Sequence, residues 1–478
     1  MALRNADKWV LATLGFVALV ASVGFYSFPL TDIPIGTDSA VFTYIGRVMS
    51  AGGAPYVDVF DHKGPLVYLL NAIGTLGPST WVLWLVEWLF LTASLCLAYR
   101  MGLAMGVPRL ASVAVPVLFV PYIVYRAEGG NLTEEYCLPF MFATVLMAVQ
   151  SLKGAPIRRS HALLMGAFAA CVFMLKFTAL IGLFPFYAAI VAVACAKRGV
   201  SCALLRVGWF AGGFAAVFCA FGSWLGAVGA LEGFFRQYIA FNVVYANAVD
   251  AGARWAAAGF FAGDLALLLS VAATIVAVGL CMLHRGAQCG RETAIAMTGF
   301  VGIASLFALV VVLGRSYGHY LLMFVPLYVV VLNAAVFQVR RAVGNHAAFA
   351  AAAAAVGLAL VYFPAAYGAC EQLAYRAGFV ETRAAVVAKL QDVAGRGDIV
   401  AVGNECWVYL DGGFWASAPY AYRSDAMPEA YGAWLSGLIA SDSAPSAIIV
   451  ADYVELDLTL DSYREVAVLE GFTIYGRV

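Results

Sequence analysis

About eleven apolar stretches, each roughly 20 residues long, punctuate this chain, and each is long enough to cross the hydrocarbon core of a bilayer as a helix. The first runs from Trp9 to about Phe28. Others follow near residues 81–100, 109–125, 134–152, 161–175, 177–196, 203–228, 259–283, 293–314, 318–338 and 346–367. The composition agrees: 63% of the residues are hydrophobic and 12% charged, whereas soluble domains sit near one half and one quarter. The expected fold is a polytopic α-helical membrane protein. Arg4 and Lys8 before the first run resemble a signal-peptide n-region, but the run is as long as a span and no small-x-small site follows it, so it reads as an uncleaved helix.

The basic residues place the loops. Arg100/Arg109, Lys153/Arg158/Arg159, Lys197/Arg198/Arg206, Arg285/Arg291 and Arg340/Arg341 fall on the same side as Arg4 and Lys8. The positive-inside rule makes that side cytoplasmic. The opposite loops, 31–80, 126–133, 229–258 and 315–319, carry most of the acidic residues before the tail. An odd span count then puts the polar C-terminal segment outside the cell membrane. We divide the chain into a transmembrane domain, 1–368, and an extracytoplasmic domain, 369–478. The latter reads as a small α/β unit, with a helix over Glu371–Ala394, short buried strands at Asp398–Gly403 and Ala447–Ala451, and a closing hairpin over Tyr463–Val478.

Lys and Arg total 28, as do Asp and Glu, which leaves no basic surface for nucleic acid. The ten cysteines show no paired-ligand spacing. Cys370 and Cys406 are the two that this topology places outside, so a disulfide between them is the expectation, with two unpaired cysteines too far apart to bridge as the alternative. Within the spans Glu87, Lys176 and Asp264 lie nearer the outer ends than the middle, which favours an outward cavity over a transmembrane path.

The first outer loop concentrates the chemistry: Asp32, Asp38, Asp58, Asp61, Arg47, His62 and Lys63 lie close to the first span. Charge held so near hydrocarbon is costly unless it is paired or used. Ala40–Ala51 and Gly64–Gly74 read as short interfacial helices. A second acidic group, Glu128, Glu134 and Glu135, occupies the next outer loop. Arg315 and His319 stand at the outer ends of two late spans, either as ligands for an anion or as interfacial anchors. The loop 229–258 interleaves Phe234, Phe235, Tyr238, Phe241 and Tyr245 with Arg236, Gln237 and Asn242, which suits a sugar, a prenyl chain or an aromatic belt. Asn131-Leu132-Thr133 matches a glycosylation sequon and receives no role.

These motifs resemble the C-type glycosyltransferase (GT-C) superfamily. The resemblance rests on Gly36-Thr37-Asp38, on the stretch from Tyr44 to Pro55-Tyr56-Val57-Asp58, on Asp61-His62-Lys63-Gly64-Pro65-Leu66, on Glu128 to Glu135, on Phe241-Asn242 and on Gly318-His319-Tyr320. The bacterial members it is most similar to are those like protein O-mannosyltransferases, lipid A aminoarabinose transferase and lipopolysaccharide galacturonic acid transferases. The resemblance implies a sugar donor linked to polyprenyl phosphate and an acceptor that is a glycan, a lipid or a protein. It implies inverting transfer, with Asp38 as the general base and Lys63 on the leaving phosphate; Gly64 replaces the first proline of the family's Lys-Pro-Pro-Leu stretch, which would loosen the turn. Tyr44, Asp58, Asp61, Glu128, Glu134, Glu135, Arg315, His319 and Tyr320 are the other candidate substrate-binding residues. No cofactor or metal is expected, although a divalent cation bound by Asp38 and the Glu128–Glu135 carboxylates is the alternative. A transporter or lipid flippase, and a non-catalytic scaffold of the same fold, are the competing readings.

Overall fold

A computed structural model describes the chain except residues 1, 32–33, 78, 284–286, 344–357, 396, 418, 424–427 and 456–459. Asp32, Arg285 and most of the expected 346–367 span lie outside the described residues. The chain is a helical bundle with a small α/β domain seated on one end. Helices α1 (Ala2–Ser22), α2 (Thr37–Ser50), α3 (Pro65–Gly74), α4 (Trp81–Met105), α5 (Arg109–Leu118), α6 (Val120–Arg126), α7 (Thr133–Leu152) and α8 (Arg159–Lys176) form its first half.

Among the described residues, eight helical segments are long and apolar enough to cross a membrane: Trp81–Met105, Arg109–Arg126, Thr133–Leu152, Arg159–Gly182, Val200–Ala227, Leu265–Leu283, Gly290–Leu313 and Gly318–Ala342. α1 supplies a further long helix. It is tied to α4 by the Trp84 and Trp88 indole N–H groups, which donate to the carbonyls of Ser22 and Gly15 at 3.1 and 3.0 Å. The expected 177–196 span is broken into a 3₁₀ turn, Phe177–Gly182, and a helix, Phe184–Arg198. Lys176 is extended there, and Pro185 in the first turn of the second helix has no N–H to continue the first. The 318–342 helix runs through the middle of the bundle with most side chains enclosed, whereas 200–227 stands at the edge with most outward.

Two segments differ from expectation. The 229–258 segment is helical, with a π-helical stretch at Phe234–Ala240 followed by Phe241–Asn247 and the start of Ala251–Ala262. Phe234, Tyr238 and Phe241 are buried there, while Phe235 is exposed, so its aromatics divide between packing and surface. The expected tail helix is two helices, Phe363–Gly378 and Val380–Ala394, meeting at Phe379.

The C-terminal sheet holds β1 (Ile399–Val402), β2 (Ala447–Ala451), β3 (Tyr463–Leu469) and β4 (Phe472–Arg477) in the order β1-β2-β4-β3. β1 and β2 are parallel, and the other pairs antiparallel. Ile399, Ala401, Ala447 and Ile449 join the large core shared with the bundle. Val400, Val402, Ile448 and Val450 pack on the other face against Tyr431 and Leu435 of the helix Pro428–Ile439. Burial on both faces explains why these strands are uninterrupted apolar runs. The expected disulfide does not form. Cys370 is exposed on its helix, and Cys406 is buried with its thiol donating to the Ala421 carbonyl at 3.2 Å.

Candidate active site

The loops expected on the outer side meet at the end of the bundle that carries the α/β domain, around a cavity of about 780 Å³. Asp38 enters it from the first turn of α2. Gly36, in an extended conformation, caps that helix and accepts the Ala40 N–H at 2.8 Å, and Asp38 thereby sits where the helix dipole favours an anion. Its Oδ2 lies 3.6 Å from the Lys63 ammonium, with the two side chains 36% and 17% exposed. Burial pushes the Asp38 carboxyl up, but the charges of Lys63 and then His319 more than offset that and hold it below its ordinary value. For Lys63 burial works downward, and Asp38 more than reverses it, so the ammonium stays charged.

The main chain at Lys63 is clamped by tyrosines. Its N–H donates to the Tyr68 hydroxyl at 3.2 Å, and its carbonyl accepts the Tyr56 hydroxyl at 2.6 Å. Tyr68 itself donates to Asp61 Oδ2 at 2.8 Å. Asp61 is buried and lines the cavity, its other oxygen accepting the Tyr422 hydroxyl at 2.8 Å and the His62 N–H at 2.7 Å. Gly64 is not a loose joint. Its φ of −72° is ordinary, but a Cβ there would strike the Met174 carbonyl, and its N–H donates to the Leu175 carbonyl at 3.3 Å. Glycine lets the loop press against the end of α8, which neither alanine nor proline would allow. Asn242 holds His62 from the other side: Nδ1 of the ring lies 3.1 Å from its Oδ1, and its amide donates to the His62 carbonyl at 2.8 Å. Burial first, and then Lys63, push His62 down to about 4, so it is neutral at neutral pH.

Glu128 lines the cavity, 3.3 Å from Nδ1 of His319, with Tyr320 alongside. Glu134 stands behind them, paired with Lys176 and 3.7 Å from His319 Nε2. Lys176 in turn lies 3.8 Å over the Tyr320 ring. Four other candidates are not among the residues lining the cavity. Tyr44 is packed against Tyr409 and accepts the Ala416 N–H at 2.8 Å. Asp58 closes its own turn by accepting the Ala54 N–H at 2.7 Å. Glu135 is buried within α7. Arg315 stacks 4.4 Å from the ring of Tyr245, which does line the cavity. Glu87 and Asp264 are likewise buried in structural pairs, with Ser27 and with Tyr122 and Arg126.

The α/β domain and the helices leading to it supply the roof, including Arg376, Arg383, Trp407 and Tyr422. Arg383 donates to the Ile35 carbonyl at 2.9 Å and lies 4.4 Å over Trp407. Arg376 rests on Gly129, where any Cβ would collide with its guanidinium. That glycine belongs to a run, Glu128 to Asn131, in which all four residues have positive φ (51°, 99°, 93° and 60°). At its end Asn131 is fully buried. Its amide donates to the Tyr26 hydroxyl at 3.0 Å and Asn71 Oδ1 at 2.8 Å, and its oxygen accepts from Tyr136 and Asn71 at 2.9 Å each. Ser39, next to Asp38, donates to the Gly130 carbonyl at 2.6 Å, so this knot fixes the start of α2. Sequence reasoning missed Asn131 as well as the roof residues; the two adjacent glycines before it were the available signal.

Among the described residues, no three His, Cys, Asp or Glu side chains come together as metal ligands. Asp38 faces the Lys63 ammonium, and Glu128 lies against the His319 ring.

The fold is similar to those of solved membrane-protein structures. ArnT from Cupriavidus metallidurans bound to undecaprenyl phosphate superposes with a TM-score of 0.63 at 14% identity, covering 99% of this chain and 98% of that one. The apo state of ArnT gives 0.58 at 13%, with the same coverage. The Archaeoglobus fulgidus oligosaccharyltransferase, in complex with Zn and sulfate, gives 0.52 at 10%, covering 92% of this chain and 68% of that one. No curated protein matches the sequence. Residues 3–348 match the sequence family described as putative competence-induced protein Ccs4 N-terminal domain, and the chain belongs to that family.

Proposed function

We propose that this protein is a membrane glycosyltransferase that takes a sugar from a polyprenyl-phosphate carrier and passes it to a hydroxyl-bearing acceptor, inverting the anomeric centre. The observation that carries this reading is the pairing of Asp38 and Lys63 across one cavity, in a fold shared with a protein solved with undecaprenyl phosphate bound. The acceptor O–H attacks the anomeric carbon, and its proton passes to Asp38. The bond from that carbon to the carrier phosphate breaks, and the prenyl phosphate leaves with the electron pair. The leaving phosphate gains charge, so an ammonium beside it stabilises the transition state more than the ground state. Lys63 supplies that charge in place of a metal ion. A phosphate drawing Lys63 away from Asp38 would also free the carboxylate to act as a base.

Glu128, His319 and Tyr320 line the same cavity and are assigned to substrate contact; Asp61 and Glu134 hold Lys63 and His319 in place. We place this chemistry on the extracytoplasmic side, with the N-terminus in the cytoplasm. The test uses purified full-length protein in lipid nanodiscs, offered a panel of radiolabelled polyprenyl-phosphate sugars with envelope lipid, glycan and Ser/Thr-containing protein as acceptors. Transfer that disappears in Asp38→Asn supports the reading. Movement of the intact labelled lipid between leaflets without any transfer would replace it with a flippase.

A further inference from the structure

Lys63 and the α/β domain are joined by an unbroken line of hydrogen bonds. The Tyr422 hydroxyl donates to Asp61 Oδ1 at 2.8 Å, Tyr68 donates to Asp61 Oδ2 at 2.8 Å, and the Lys63 N–H donates to Tyr68 at 3.2 Å. Asp61 is 2% exposed. A carboxylate so buried needs its donors, and its three, the two tyrosine hydroxyls and the His62 N–H, come from two segments of the chain. One segment lies 361 residues away in sequence. Beside this line the Phe60 N–H donates to the Pro419 carbonyl at 2.8 Å, so the strand of loop leading into Asp61 is itself anchored on the α/β domain.

We propose that Tyr422 is a positioning residue for Lys63, acting through Asp61 and Tyr68, and that the α/β domain is therefore a working part of the phosphate-binding site. The inference rests on the function proposed above. Tyr422→Phe keeps the ring that packs near Phe60 and removes only the donor to Asp61. With Oδ1 left short of a donor, the carboxylate shifts toward its remaining partners and Lys63 loses its fixed place opposite Asp38.

Two measurements on full-length protein in nanodiscs test this. The first is binding of undecaprenyl phosphate to wild type, Tyr422→Phe, Lys63→Ala and the double variant. Tyr422→Phe should weaken binding on the order of tenfold, as expected for losing a hydrogen bond to a charged group. It should add nothing in the Lys63→Ala background, because a residue that acts through Lys63 has no effect without it. The second is amine labelling of Lys63 followed by mass spectrometry, with no lipid added. Labelling should rise several-fold in Tyr422→Phe. Arg47→Gln is the control: Arg47 ties α2 to the carbonyls of Tyr409 and Gly413 at 2.8 and 3.1 Å, contacts that involve neither Asp61 nor Lys63, and its loss should leave labelling unchanged.

Unchanged labelling in Tyr422→Phe overturns the inference whatever the lipid does. So does a tenfold loss of binding that persists in full in the double variant, since that describes a general weakening of the fold. Labelling that changes as expected while wild type and Lys63→Ala bind the lipid equally would instead overturn the phosphate role of Lys63 and leave the positioning contact standing.

Discussion

Asp38 and Lys63 face each other at 3.6 Å, and each changes what the other can do. Asp38→Asn should lower the rate of sugar transfer by about 10²–10⁴-fold with little change in donor KM, as befits loss of a general base. Lys63→Ala should raise donor KM and lower kcat together, because the leaving phosphate loses its counter-charge in both the bound and transition states. Steady-state kinetics on purified protein separate the two patterns. Full activity in Asp38→Asn would remove it as the base.

Gly64→Ala should destabilise the protein by about 1–3 kcal/mol, the usual cost of forcing atoms into a packed contact. The methyl group would have to displace the end of α8 at Met174. Because Gly64 adjoins Lys63, the same change should lower transfer even in molecules that remain folded. A thermal midpoint indistinguishable from wild type would show that the helix end yields freely.

His62 gives the pH dependence a definite sign. Burial lowers its folded-state value to about 4, so between there and the ordinary histidine value near 6.5 the unfolded chain binds the extra proton. Stability should therefore rise as pH increases from about 4 to about 6.5 and then level off with respect to this group. His62→Gln should flatten that rise. Thermal midpoints at pH 5 and pH 7.5 for both proteins decide it, and equal slopes would count against the burial argument.

Asn131→Ala should cost about 3 kcal/mol or more, since it strips partners from Tyr26, Asn71 and Tyr136 in a site with no access to water. Activity of the folded fraction should fall as well, because the Ser39 end of α2 rests on this knot. Proteolytic resistance and transfer rate measured on the same preparation report the two effects.

The apolar runs revealed the bundle because a lipid-crossing helix needs only length and hydropathy, both local properties. They could not show where a run would break, as at Lys176 and Pro185, since that depends on what packs there. The strands β1 and β2 and the closing hairpin were legible for the same local reason. Asp38, Asp61 and Lys63 could be picked out by their charge near an apolar run, and His319 and Tyr320 from a short motif. Tyr44 and Asp58 belong to the same motifs, yet one docks the α/β domain and the other closes a turn. Residue type alone does not say which way a side chain leans. Tyr422, Arg376 and Arg383 lie several hundred residues from Asp38, and no spacing rule connects them.

The distance along the chain between Asp38 and the roof of its cavity has a consequence for how the protein comes into being. A nascent chain that has emerged as far as α8 already contains Asp38, Lys63 and the tyrosines of the clamp, but Asp61 lacks Tyr422 and the cavity has no roof. Synthesis proceeds at about 5–20 residues per second, so this unfinished state lasts tens of seconds in every molecule. During that time the half-built protein has no assembled pocket. The site closes only once the α/β domain has folded against the first loop.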